Sequence, residues 1–462
     1  MKRVLLLNPP GRRAYIRDNY CSYSAKANYF WEPIDLLVQS AWLRYRFDLA
    51  VLDAIAERRT PDEVVRAVRD GRFDAVVSLT GSVSLDEDRA LFARLKDAGV
   101  AVLAASGDLA LTGPEKLLER MPALDVAIQD YTTHELADLL DAGGDGRTFG
   151  ALAWRDGARI VPTDPGRPLP REMDYPVPRH DLFPIPRYRI STSVDKRFVT
   201  CIASLGCNFN CPFCICSVMN LRLRAIGSLL PELRQVRAMG IREIYFYDPN
   251  FTVNKTRCLE MLRAIEDEKL GLVFSCNSHI TVSEEVLDAL ARAGCHTIMF
   301  GIENASEEIL RRYSKGITRE RIRTTLDRCA KRGIRTFGYF LIGLPGETEA
   351  TIRETIAFAR ALPLSFASFN LPSPVEGTQL YRDAEAMGAL RSSDQNLDRS
   401  TEVSVSFSDI PDARLLELKR LAYRRFYLRP LFLARTLLRI YPWRKWGYFL
   451  QDVWTFFRRN FV

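Results

Sequence analysis

Four cysteines fall within the ten residues Cys207–Cys216 of LGCNFNCPFCICS (205–217), in a chain of 462 residues that holds ten. Cys207, Cys211 and Cys214 have the spacing C-x3-C-x2-C. Three thiolates on one tight loop can ligate three irons of a cubane cluster and leave the fourth iron open to another ligand. A structural zinc site usually wants four ligands in two pairs, and no second pair follows at a suitable spacing. Cys216 could complete a four-thiolate set, but it lies only two residues beyond Cys214. Ten cysteines are too sparse for a disulfide framework, so the clustered ones read as metal ligands or redox groups in a reducing compartment. Cys201, in an apolar strand, reads as core, as do Cys258, Cys295 and Cys329 on helical stretches or their ends. Cys276 and His279 close another strand and are the candidate catalytic residues.

The cysteine loop needs a scaffold, and the surrounding sequence supplies one. From residue 191, strand patterns recur as KRFVTCIASLGC, REIYFYDPNF, LVFSCNSH, HTIMFGIEN, IRTFGYFLIGLPGE and SFASFNLPSP. Amphipathic stretches such as EEVLDALARAG and TRERIRTTLDRCAKRG separate them. Six β/α units over 191–400 predict a partial (β/α)6 barrel with its site at the carboxyl ends of the strands.

Residues 1–150 alternate in the same way. RVLLLNPP, LAVLDA, FDAVVSLTG and VAVLAASGD are continuous apolar strands, with helical patterns such as PDEVVRAVRDG between them. This pattern predicts an α/β, doubly wound domain whose parallel sheet is covered on both faces. Ligands of such sheets sit outside the carboxyl ends of the strands. Those ends, NPPG, SLTGS and AASGD, are small and polar, which suits either a ligand seat or simple tight turns. Residues 151–190 begin with a hairpin-like ALAWRDGARIV and continue as a proline-rich linker.

The cysteine loop resembles that of the radical SAM superfamily, and the resemblance runs on through the barrel. Phe213 matches the aromatic that packs near the adenine of S-adenosylmethionine (SAM). GIEN (301–304), with Glu303, resembles the family's G-I-E-S strand end and is followed by Lys315 and Gly316. FLIGLPGET (340–348), with Gly343 and Pro345, is similar to the stretch bordering the adenine. Asp248 and Asn250 in YDPNFT resemble the strand end near the methionine moiety, and SPVEGTQLY the closing segment. The resemblance implies that Cys207, Cys211 and Cys214 hold a 4Fe-4S cluster, whose open iron binds SAM and whose electron releases a 5′-deoxyadenosyl radical.

A doubly wound domain opening with LLNPP before such a barrel resembles the cobalamin-binding subfamily. That resemblance implies cobalamin contacts at Asn8, Pro9, Ser78, Thr80, Ser82, Ser106 and Gly107. There are departures: no D-x-H-x-x-G motif is present, the acidic turn has become QDYTTHE (129–135), and the usual glycine pair is Ser106-Gly107. Methyl transfer to an unactivated carbon of a lipid-like or natural-product intermediate is the implied reaction. The alternatives are cyclisation or rearrangement by the same radical, and a metal-bound scaffold without turnover. A methylthiotransferase is disfavoured, because Cys21 stands alone in the N-terminal region.

Residues 401–462 form a basic, aromatic, helical C-terminal segment. Its Arg and Lys interleave with Trp, Tyr and Phe, which suits a membrane-interface helix, amphipathic helices packed on the barrel, or nucleic-acid binding. Nucleic acid is the reading not expected. The composition, 47% apolar and 26% charged with net charge +8, is ordinary for globular chains. MKRVLLLNPPG offers no signal-peptide core, and 18 uninterrupted apolar residues occur nowhere. The expected location is the cytoplasm, with peripheral contact at the inner face of the membrane. The expected partners are a small-molecule substrate, lipid or lipid-linked, and an electron donor such as flavodoxin or ferredoxin.

Overall fold

A computed structural model describes residues 1–462 except 21, 26–28, 145, 314–315, 391–402, 404, 406, 431 and 433–462. The chain forms two compact units. One comprises Met1–Ala25, Phe30–Tyr188 and Arg222–Met239, and the other Arg189–Leu221 with the chain from Gly240 onward.

The first unit is built on a seven-stranded sheet: β1 (Arg3–Asn8), β2 (Asp48–Asp53), β3 (Ala75–Leu79), β4 (Val102–Ser106), β5 (Val126–Ile128), β6 (Leu152–Asp156) and β7 (Arg159–Val161). Their order is β2-β1-β3-β4-β5-β6-β7. The first five are parallel, and the β6–β7 hairpin extends one edge antiparallel. Leu5, Leu7, Val76 and Leu103 of the strands are buried with Val64, Phe92 and Leu95 of the helices in one apolar core. Burial on both faces explains why these strands read as unbroken apolar runs rather than alternating ones. The helix Pro61–Gly71 starts at a Thr60–Glu63 capping box and stops at Arg72, whose φ of 49° ends the turn. The 2-1-3-4-5 order places the topological switch point between β1 and β3, where doubly wound sheets open a crevice for ligands.

The segment Arg222–Met239 lies within the sequence range expected for the barrel, yet it groups with the first unit. A buried charge network ties it there. His180 sits between two carboxylates, Nδ1 2.9 Å from Glu32 and Nε2 3.0 Å from Glu232. Arg224 pairs with Glu232 and lies 3.9 Å over the Tyr175 ring. All four charged side chains are essentially inaccessible to solvent.

The second unit holds six parallel strands in sequential order: β8 (Phe198–Cys201), β9 (Glu243–Phe246), β10 (Val273–Ser278), β11 (Cys295–Glu303), β12 (Arg335–Leu341) and β13 (Phe366–Asn370). This is the partial (β/α)6 barrel. On β12 burial alternates, with Thr336, Gly338 and Phe340 buried and Phe337, Tyr339 and Leu341 half-buried. Phe340 stacks on Phe369, which packs against Tyr423 and Phe426 of the helix Asp412–Tyr427. That face therefore meets the helix layer, and Phe337 and Tyr339 face the lumen. The helix Asp412–Tyr427 also meets β13 through two hydroxyls. The Tyr427 hydroxyl accepts from the Ala367 N–H at 3.0 Å and donates to the Ala367 carbonyl at 2.7 Å. The Tyr423 hydroxyl does the same for Phe369, at 3.2 Å each way. The basic aromatic stretch from 433 on lies outside the described residues, and no described helix is long and apolar enough to cross a membrane.

Candidate active site

The three expected cluster ligands leave β8 on one loop. Gly206 precedes them with φ 76°, and a Cβ there would meet the Asn220 carbonyl at 2.5 Å, so only glycine allows the chain to turn into the loop. Cys211 is buried, while Cys207 and Cys214 remain partly exposed. The Cys214 N–H donates to the Cys211 carbonyl at 3.0 Å, which makes C-x2-C a tight turn. The Leu380 N–H donates to the Pro212 carbonyl at 2.9 Å, bringing the expected closing segment against the loop. That segment turns at Gly377 (φ 89°), and Thr378 caps the helix Gln379–Ala386. Three thiols on a loop with an open side fit a cluster with one free iron better than a closed four-ligand zinc site. Cys216 is buried in the following 3-10 turn.

Around this loop the structure gathers most of the residues expected to contact SAM. Phe213 packs with Ile309, Tyr313, Leu341 and Leu344, so the aromatic and the LIGLPGE stretch do meet. Gly343 has φ 88°, and the turn is held by Glu347, whose carboxylate accepts from the Gly343 and Leu344 N–H groups at 2.6 and 2.8 Å. Asn304 donates to the same carboxylate at 2.6 Å and accepts from the Thr355 hydroxyl at 3.1 Å. Burial pushes Glu347 above the usual carboxylate range, and those donors moderate the rise. Asn304 and Glu347 are the residues that sequence reasoning passed over. The signal was present, because a turn with two glycines leaves N–H groups that require a nearby acceptor. Glu303 is buried with φ 66°, where β11 slips register against β12. A buried non-glycine residue in that region is strained, a common mark of a functional strand end. Pro345 continues the same turn, and Lys315 lies outside the described residues.

Asp248 braces the start of the loop. Its carboxyl accepts from the Ala203 N–H at 3.1 Å and the Ser204 hydroxyl at 2.6 Å, and burial pushes it up to about 6. Asn250 accepts from the His279 N–H at 3.2 Å and from the Thr252 hydroxyl at 3.1 Å. The two candidate catalytic residues diverge. Cys276 is fully buried, its thiol raised well above its ordinary value by burial and by its neighbours Cys295 and Cys258. Cys258 is on the helix Lys255–Asp267, so Cys276 faces the helix layer and not the lumen. His279 instead stacks on Phe209 of the cysteine loop, with ring centroids 3.8 Å apart and planes 16° from parallel.

At the carboxyl ends of the first unit's sheet, the expected cobalamin contacts are all held by protein partners. Asn8 donates to Asp53 at 2.9 Å, and Ser78 to the Leu7 carbonyl at 3.2 Å. Thr80 donates to Asp88 at 3.1 Å, and Ser82 to Asp108 at 2.7 Å. Pro9 offers its carbonyl to Arg17, whose guanidinium is buried against Asp88 at 2.9 Å. Ser106 lies beside Asp35, whose carboxyl burial and Asp18 push well above the usual range. Among the described residues, three amides have their N–H ends engaged and their oxygens without partners: Asn8, Asn19 and Gln39. The buried Tyr131 and Ser22 hydroxyls likewise lack partners among the described residues. Such buried acceptors each cost on the order of 1–3 kcal/mol. A ligand rich in N–H donors, as the carboxamide arms of a corrin are, matches this set of acceptors.

Gly107 is the tightest point of this crown, with φ 135°, and a Cβ there would meet the Thr80 carbonyl at 1.9 Å. Gly107→Ala is therefore expected to destabilise the first unit by about 2–4 kcal/mol, read as a lower denaturant midpoint.

Comparison with known proteins agrees with this architecture. Residues 201–359 match the radical SAM superfamily. An uncharacterized methyltransferase of Pyrococcus horikoshii is 30% identical over 416 residues, 88% of this chain and 90% of that protein. TsrM, a radical S-adenosylmethionine methyltransferase from Kitasatospora setae solved with tryptophan substrate and a SAM analog, superposes with TM-score 0.66 at 20% identity. The match covers 85% of this chain and 78% of that one. OxsB, a cobalamin-dependent S-adenosylmethionine radical enzyme, superposes with TM-score 0.71 at 14% identity, covering 99% and 72%. At such identities the solved structures establish the fold. With its three-cysteine loop at the mouth of a six-stranded parallel barrel, and a doubly wound domain of cobalamin-binding type before it, the chain belongs to the radical SAM superfamily.

Proposed function

We propose that this protein is a cobalamin-dependent radical SAM C-methyltransferase acting on an unactivated carbon of an apolar, lipid-like or natural-product substrate. The observation that carries the proposal is the pairing, in one chain, of an open three-thiol loop with a donor-hungry crown at the switch point of a 2-1-3-4-5 sheet. When bound, the cluster and SAM supply a 5′-deoxyadenosyl radical, and cobalamin supplies the methyl group.

The chain's own residues bind, orient and exclude water. Cys207, Cys211 and Cys214 would hold the cluster, with an electron donor of the flavodoxin or ferredoxin class reducing it. Phe213, with Leu341 and Leu344, offers an apolar wall for the adenine, and the backbone about Glu303 and Gly343–Pro345 offers its polar edge. Asp248 and Asn250 act through the strand ends that they brace. Asn8, Pro9, Ser78, Thr80, Ser82, Ser106 and Gly107 shape the corrin seat, with Asn19, Gln39 and Tyr131 supplying acceptors.

The lumen supports this substrate class. Phe246 and Phe274 pack on the same face as the outward Cys276, which leaves Tyr245 and Tyr247 facing inward, as Phe337 and Tyr339 do on β12. The Tyr339 hydroxyl lies 3.5 Å from the Met299 sulfur. Aromatic rings and a thioether favour an apolar or unsaturated substrate.

The test is anaerobic purification with iron, sulfide and hydroxocobalamin, followed by metal counting and turnover with dithionite and SAM. About four irons with one cobalt per chain, and release of both S-adenosylhomocysteine and 5′-deoxyadenosine, is the expected result. Iron without cobalt would keep the radical and remove methyl transfer, leaving cyclisation or rearrangement. Neither metal would reduce the chain to a scaffold.

A further inference from the structure

We propose that His279 is a positioning residue for the cysteine loop, holding it through a ring stack on Phe209; the inference rests on the reading of Cys207, Cys211 and Cys214 as cluster ligands. Phe209 lies midway between Cys207 and Cys211. That half of the loop also turns at Gly206 at its entry and makes a long 3.4 Å bond from Asn208 to the Val253 carbonyl. The stack is close and nearly parallel, 3.8 Å and 16°.

His279 is itself fixed from three directions. Its backbone N–H donates to Asn250, which is 3% exposed. Its Nδ1 lies 2.7 Å from the Thr281 hydroxyl, and the Thr281 backbone N–H donates to the same nitrogen at 3.3 Å. A backbone N–H can only donate, so Nδ1 is the acceptor and the ring carries its proton on Nε2. Position therefore passes from Asn250 at the end of β9, through His279 beyond β10, to Phe209 between two thiols. Groups that orient metal ligands from behind commonly tune both affinity and electronic character.

The experiment uses the full chain, anaerobically reconstituted, as wild type, His279→Ala, His279→Phe, Phe209→Ala and the double alanine variant. The rate of iron release to a chelator, the electron paramagnetic resonance signal of the reduced cluster with and without SAM, and the thermal midpoint are measured. Each single alanine variant is expected to release iron roughly five- to tenfold faster, the scale of one aromatic pair. The resonance signal shifts while the thermal midpoint barely moves. His279→Phe keeps a ring and should return both readouts close to wild type. The double variant should match either single one, because both remove the same contact.

Wild-type release and an unshifted signal in His279→Ala, or additive effects in the double variant, would overturn the proposal. Should His279→Ala not fold, Phe209→Ala decides it, and wild-type release there is equally fatal. Failure of the underlying reading looks different: wild type takes up no iron, or Cys207→Ala takes up as much as wild type.

Discussion

Replacing any one of Cys207, Cys211 and Cys214 by alanine is expected to abolish SAM cleavage, with 5′-deoxyadenosine falling to the level of the enzyme-free blank. Two thiolates cannot hold three irons. Cys216 lies in the 3-10 turn after the loop, outside the C-x3-C-x2-C spacing, and Cys201 is a residue of β8. The effect should be all-or-none in turnover for all three, and much smaller in stability for Cys207 and Cys214, which are partly exposed and contribute little to the core, than for the buried Cys211. The check pairs iron analysis with product quantitation on the same preparations. Cys276→Ser provides the contrast. It sits in the core facing Cys258 and Cys295, so it should retain iron and lose stability by about 1–2 kcal/mol, the cost of a poorly matched buried hydroxyl.

The second large effect is thermodynamic. His180→Leu should cost about 3–5 kcal/mol of stability, the usual penalty for leaving buried charge without its partner. The imidazole lies between Glu32 and Glu232, with no solvent access. Burial alone would lower its affinity for a proton. The two carboxylates more than offset that and raise it to about 10. Because the folded value lies above the ordinary 6.5, this contribution is complete below pH 6.5 and is lost as pH rises towards 10. Denaturant midpoints of the wild type should therefore decline across that window more steeply than those of His180→Leu. Adding Glu32→Gln to the variant should recover part of the loss, because it removes a carboxylate that has lost its imidazole, whereas Glu232 keeps Arg224.

The two cases also mark what a single sequence discloses. The cysteine loop was legible because its ligands are local: three thiols within eight residues, placed after an apolar strand. The strands of both units were legible for a related reason, since burial on both faces writes continuous apolar runs such as AVVSL. Parity was legible too, though more faintly. VFSCNS sets Ser275 and Asn277 against Phe274 and Cys276, which puts Cys276 on the apolar side, whereas its place at a strand end made it read like His279. The His180 network was not legible, because its partners lie 148 and 52 residues away. Nor was the grouping of Arg222–Met239 with the first unit, which that network helps to secure. Asn304 and Glu347 fall between these extremes. Each lies in a quoted motif, but their pairing spans 43 residues and becomes visible only when β11 and β12 lie side by side.

The two tyrosines of the helix Asp412–Tyr427 bear on how the last edge of the barrel sheet is closed. A six-stranded open barrel leaves β13 with a row of amides facing outward, a template on which another chain could build a strand. Each phenol accepts one N–H and returns one O–H to the same residue, imitating the donor–acceptor pair that a seventh strand would present. The helix thus serves as a sheath over an adhesive border. A chain cut short before Asp412 would lose both phenols and leave the N–H and carbonyl groups of Ala367 and Phe369 open to another strand, and edge-to-edge self-association would then compete with folding.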